Sequence, residues 1–103
     1  MSEQFFAGKV AVVTGAGGRL CSVIAKDLAA KGCKVALLDR SAEALKPVEQ
    51  AINEAGGVCL SFTCDVTDEA GLTAIAEKVE DAFGPCRFLV NGAGGNKRCF
   101  STH

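Results

Sequence analysis

Three glycines, Gly15, Gly17 and Gly18, follow directly on the β-branched run Lys9–Thr14. A glycine-rich turn lets backbone come close to a pyrophosphate. A helix that starts there aims its unpaired N–H groups and positive dipole end at the anion. Gly15 and Gly17 fill the first two places of a G-x-G-x-x-G turn, Leu20 stands where the third glycine belongs, and Arg19 puts a cation beside it. The same cluster could be no more than a tight turn. Asp39 ends the next apolar run, 21 residues after Gly18. An acid there can accept hydrogen bonds from both ribose hydroxyls of an adenosine and would repel a 2′-phosphate, which selects NAD over NADP. The bland alternatives are a solvated loop carboxylate or a partner for Arg40. Arg19 and Arg40 keep NADP as the lesser option, since either could meet a 2′-phosphate. Asp65-Val66 could flank an adenine, with the acid toward its amino group, or could simply lead into a helix. Asn91-Gly92-Ala93-Gly94 offers small residues against which a flat cofactor could lie, or a plain turn, and Asn91 could brace the neighbouring strand.

These residues need elements to hold them, and the apolar pattern supplies a regular alternation. Lys9–Thr14, Cys33–Asp39, Val58–Cys64 and Phe88–Val90 read as short buried strands. Between them lie three helical segments. Arg19–Lys31 carries Leu20, Ile24 and Leu28 at helical spacing and stops at Gly32. Ser41 caps a helix running to about Ala55, with Pro47 marking either its first turn or a kink. Thr67 caps a third, to Phe83, with Leu72, Ile75, Val79 and Phe83 as its apolar stripe. The order βαβαβαβ predicts an α/β fold of the Rossmann type, a parallel sheet with helices on both faces, of which only the first half is present. Residues 1–95 form this partial dinucleotide-binding domain, and residues 96–103 an irregular tail. A four-stranded half sheet leaves its last strand as an open edge, so the chain is expected to be part of something larger.

The totals narrow the class. With 49% apolar and 22% charged residues the chain is too apolar for disorder, and its 103 residues make one domain. A net charge of −1 gives no basic field, so nucleic acid and anionic membrane are excluded as partners. No stretch reaches the ~20 apolar residues of a membrane span, and a cytoplasmic location follows. The six cysteines show no C-x-x-C spacing, and the single histidine is His103, so no metal site is expected. Most of them read as small buried thiols of a reducing compartment, and Cys99 is expected to be accessible. Cys59 and Cys64 fall on opposite faces of one strand.

TGAGGRLC at Thr14–Cys21, LLDR at Leu37–Arg40, CDV at Cys64–Val66 and NGAG at Asn91–Gly94 together resemble the short-chain dehydrogenase/reductase family in order and spacing. Four motifs in register, covering the chain up to Gly95, are far more specific than any one of them. The family's first turn reads T-G-x-x-x-G-x-G. Thr14 and Gly15 match, whereas Arg19 and Cys21 replace the later glycines, and Gly92 replaces the second Asn of N-N-A-G. These departures resemble the fructuronate reductase and mannonate oxidoreductase branch.

The resemblance implies an NAD-dependent oxidoreductase acting on an alcohol or ketone, and the resemblance to this branch implies a sugar acid as one such substrate. Small-molecule substrate and homo-oligomeric assembly are implied for the intact enzyme. It also implies a catalytic Ser and a Tyr-x-x-x-Lys, but the chain contains no tyrosine. General acid–base chemistry needs a positioned proton donor. No catalytic residue is therefore assigned, and the 103 residues alone are expected to be inactive. The alternative reading is a stand-alone nucleotide-binding or interaction module, or an inactive remnant.

Overall fold

The computed structural model describes residues 6–65 and 67–92. The elements run β1 (Val10–Thr14), α1 (Arg19–Ala30), β2 (Lys34–Asp39), α2 (Ala42–Glu54), β3 (Val58–Thr63), α3 (Glu69–Phe83) and β4 (Cys86–Asn91). All strand pairs are parallel, in the order β3-β2-β1-β4. The chain thus steps from β1 to β2 to β3 in one direction, then crosses back to lay β4 on the far side of β1. Because β–α–β crossovers are right-handed, reversing the direction of travel moves the connecting helix to the other face. The packing agrees. Ala11, Val13, Val35 and Leu37 meet α1 and α2, and Val10, Val12, Ala36 and Leu38 meet α3.

That division is the two-residue period of a strand seen from both sides, and it explains why β1 and β2 read as unbroken apolar runs. The α2 residues Leu45, Val48 and Ile52 are almost fully buried, each worth roughly 1.5–3 kcal/mol over exposure as an upper estimate. Leu72, Ile75 and Val79 serve α3 in the same way. Cys59 packs with the first cluster and Cys64 with the second, on opposite faces as expected. Among the described residues no helix is long and apolar enough to cross a membrane.

Four expectations need adjusting. On α1 the buried residues are Ala25 and Ala29, while Leu20 is 70% exposed and Val23 58%. Small side chains face the sheet there, so that the helix lies close to β1 and β2. The cap of α3 is Asp68, whose carboxylate accepts from the Gly71 amide at 3.1 Å. Thr67 is already committed, donating its amide and its hydroxyl to Asp65. Pro47 lies within α2, beyond its first turn. The carbonyl it leaves without an intrahelical donor belongs to exposed Glu43, where water can reach it. Finally, β4 is longer than the Phe88–Val90 core. It pairs from Cys86 onward and skips Arg87 between Val10↔Cys86 and Ala11↔Phe88. The proposed tail at 96–103, with Cys99, lies outside the described residues.

Candidate functional site

The carboxyl ends of all four strands lie along one edge of the sheet. In the order β3-β2-β1-β4 they carry Asp65, Asp39, the glycine turn and Asn91-Gly92. Neighbouring strands are about 4.8 Å apart, so the row extends roughly 14 Å. Connections leave β1 toward β2 on one side, and β4 returns on the other. The glycine turn therefore sits at a topological switch point, the crevice where open α/β sheets take their ligands.

The turn is built from main-chain bonds. Gly15 adopts φ +65°, open to glycine at no steric cost. The Ala16 amide donates to the Leu38 carbonyl and the Gly18 amide to that of Gly15, both at 2.9 Å. Gly18 is the N-cap of α1 and provides no side-chain cap, and the first helical bond runs from the Ser22 amide to the Gly18 carbonyl. The amides of Arg19, Leu20 and Cys21 lie ahead of that ladder. Helices α2 and α3 have side-chain caps from Ser41 and Asp68 and acids in their first turns, Glu43 and Glu69, whereas α1 has neither. That is the end of a helix suited to an anion. The Arg19 and Leu20 side chains are exposed, so what these two residues bring to the turn is backbone.

Asp39 ties the turn to its neighbour. One carboxylate oxygen accepts from the Gly17 amide at 2.9 Å and the other from the Ser41 amide at 3.1 Å. A Cβ on Gly17 would lie 2.5 Å from the Ala44 Cβ and 3.0 Å from that same carboxylate. Gly17 is thus required by the close approach of α2. Asp65, exposed at the end of β3, accepts the amide and hydroxyl of Thr67 at 2.9 and 2.8 Å. These two bonds hold its carboxyl below the usual range; desolvation opposes them less strongly, and the Arg40 guanidinium adds the smallest, lowering contribution. Val66, Ala93 and Gly94, expected beside the adenine and the flat cofactor face, lie outside the described residues.

On the other side of the crevice, fully buried Thr14 joins β1 to β4. Its hydroxyl donates to the Asn91 side-chain oxygen at 2.9 Å, and the Gly92 amide approaches the same hydroxyl at 3.1 Å. Asn91 does brace the neighbouring strand. Thr14, Ser41 and Ala44 were not singled out as site residues. Thr14 had a signal, since it is the polar end of an otherwise apolar strand. Ser41 had one as well, lying two residues after Asp39, whereas Ala44 acts through a contact between α2 and the turn that spacing does not reveal.

A hollow of about 420 Å³ lies at the opposite end of the sheet, between the C-terminal turns of α1 and α2, lined by Lys26, Ala29, Ile52 and Gly57. It holds none of the candidate residues.

Comparison with known proteins agrees with this architecture. The model of the short chain dehydrogenase family matches residues 9–103, and the chain belongs to that family. An uncharacterized oxidoreductase, UxuB, of Bacillus subtilis is 46% identical over 94 residues, covering 91% of this chain and 34% of the relative. A Haemophilus influenzae protein provisionally described as a D-mannonate oxidoreductase, solved with bound NAD, superposes with a TM-score of 0.81. It is 40% identical, over 88% of this chain and 32% of that one. A metagenomic short-chain oxidoreductase in complex with NADP gives a TM-score of 0.81 at 42% identity, over 85% and 40% of the two chains. The chain spans about a third of the length of the curated relatives it matches.

Proposed function

We propose that the chain is the dinucleotide-binding part of an NAD-dependent oxidoreductase that interconverts an alcohol and a ketone, with a sugar acid as the favoured substrate class. The single observation that carries the reading is the glycine turn at the switch point between β1 and β4, ahead of a helix with no side-chain cap. The residues present fit the group. The amides of Arg19, Leu20 and Cys21 would take the pyrophosphate against the turn formed by Gly15, Gly17 and Gly18. Asp39 would take the adenosine ribose, Asp65 and Val66 the adenine, and Asn91–Gly94 the nicotinamide side. When bound, the dinucleotide gives or accepts a hydride at its nicotinamide ring. The protein's share is to hold and orient it.

Asp39 favours NAD, because a 2′-phosphate would have to approach its carboxylate. The bound NAD of the D-mannonate oxidoreductase relative supports this choice and the sugar-acid class. The NADP complex of the metagenomic relative keeps NADP as the lesser cofactor. With no tyrosine in the sequence, the chain on its own binds without turnover. Homo-oligomeric assembly of the intact enzyme and a cytoplasmic location belong to the same reading.

Calorimetric titration of the 103-residue chain with NAD and NADP tests it. Saturable binding, tighter for NAD, is the expected result. Absence of heat with both ligands at millimolar concentration would remove the dinucleotide assignment.

A further inference from the structure

Gly92 is a glycine for which the backbone gives no reason. The described glycines at positive φ are Gly8, Gly15, Gly32, Gly56 and Gly84, so a side chain at 92 would meet no conformational strain. What it would meet is sulfur. A Cβ built on Gly92 overlaps the Cys21 Sγ, while its next neighbours, the Thr14 carbonyl oxygen at 3.1 Å and the Cys21 Cβ at 3.5 Å, leave nearly enough room. Cys21 is half-buried in the first turn of α1 and packs onto the core on that face. One volume therefore lies between the start of α1 and the end of β4, and it has space for a single group.

We propose that Cys21 and Gly92 are one positioning unit: the thiol fills from α1 the space that a side chain would fill from β4. Their contact sets the width of the crevice on its β4 side. Arg19, Leu20 and Cys21 start α1 on one wall, and Asn91-Gly92 closes the other. A misfit at this point displaces the nicotinamide half of a bound dinucleotide and spares the adenosine half at Asp39 and Asp65. The ligand part of this inference rests on the dinucleotide reading above.

The test is the set Cys21→Ala, Gly92→Ala and Cys21→Ala/Gly92→Ala, which moves one heavy atom's volume from α1 to β4. Thermal melts and titrations with NAD and with AMP are the readouts. Overpacking in Gly92→Ala lowers Tm by about 5 °C or more. It weakens NAD roughly tenfold and leaves AMP within about twofold. Cys21→Ala alone has a smaller effect on both readouts, and the double variant recovers most of the Gly92→Ala loss. A double variant that shows the sum of the two single losses overturns the exchange of volume. Equal weakening of NAD and AMP, or unchanged NAD affinity beside a lowered Tm, overturns the positioning role. Should Gly92→Ala fail to fold, a folded double variant supports the exchange and an unfolded one refutes it. If the unmutated chain binds neither ligand, the dinucleotide reading fails, while the melting data still decide whether the two residues share one space.

Discussion

Asp39 uses one oxygen for the Gly17 amide and the other for the Ser41 amide, so its substitution acts twice. Asp39→Ala leaves two amides without their acceptor, and the melting temperature falls. If the carboxylate also holds the ribose, NAD affinity drops by about 1–3 kcal/mol, the usual loss for a charged hydrogen bond, while NADP, relieved of the carboxylate's repulsion, is not weakened in step. Parallel titrations separate the two effects, and equal losses for both cofactors would leave Asp39 a part of the turn alone. Cys59 gives a pH-dependent counterpart. Burial, aided by Glu49, raises its thiol from 9.0 to about 11. The folded chain therefore keeps this proton where the unfolded chain has lost it. Unfolding releases a proton in that window, and stability falls as pH rises from 9 through 11. Melts across this range should decline less steeply in Cys59→Ala, and an unchanged decline would assign the effect to other groups.

At the scale of elements, α1 and α2 make contrasting use of the sheet. Helix α2 buries Leu45, Val48 and Ile52, whereas α1 buries Ala25 and Ala29. Enlarging the small face should cost more than trimming the exposed one. Ala25→Leu is expected to destabilise by roughly 1–3 kcal/mol through overpacking, and Leu20→Ala to stay within about 0.5 kcal/mol; denaturant titrations compare them. This contrast also marks how far the sequence could be read. The βαβαβαβ order was legible because parallel strands buried on both faces must be continuous apolar runs. The buried stripe of α1 was not, because leucines stand out in a periodicity and alanines do not. The start of α3 was misplaced by one residue, since Thr67 and Asp68 are both good caps and only the prior engagement of Thr67 with Asp65 decides between them. Asp39, the glycine turn and Asn91 were expected at strand ends by type and spacing, and the sheet lays those ends along one edge. Thr14 and the Cys21–Gly92 contact were not, because each is a meeting of segments more than 70 residues apart.

For the molecule as a whole, burial is concentrated in the middle of the sheet. All of β1 and the centre of β2 are fully buried, while β3 and β4 are half-buried or exposed throughout. Native-state hydrogen exchange should therefore be slowest in β1 and β2 and faster in both outer strands. Protection in β4 equal to that in β2 would contradict this gradient.

The order of the strands also has a meaning in time. The β1–β2 and β2–β3 pairs join residues about 24 positions apart, and their intervening helices can zip them together locally. Thr14 and Asn91, which close the crevice, are separated by 77. Closing the longer loop costs about 1 kcal/mol more in chain entropy, and contacts of such high order form slowly. A chain emerging from synthesis could thus complete β1 to β3 before β4 existed to join them. The two walls of the crevice meet only after the first three strands, and capture of a ligand between them would record the arrival of β4.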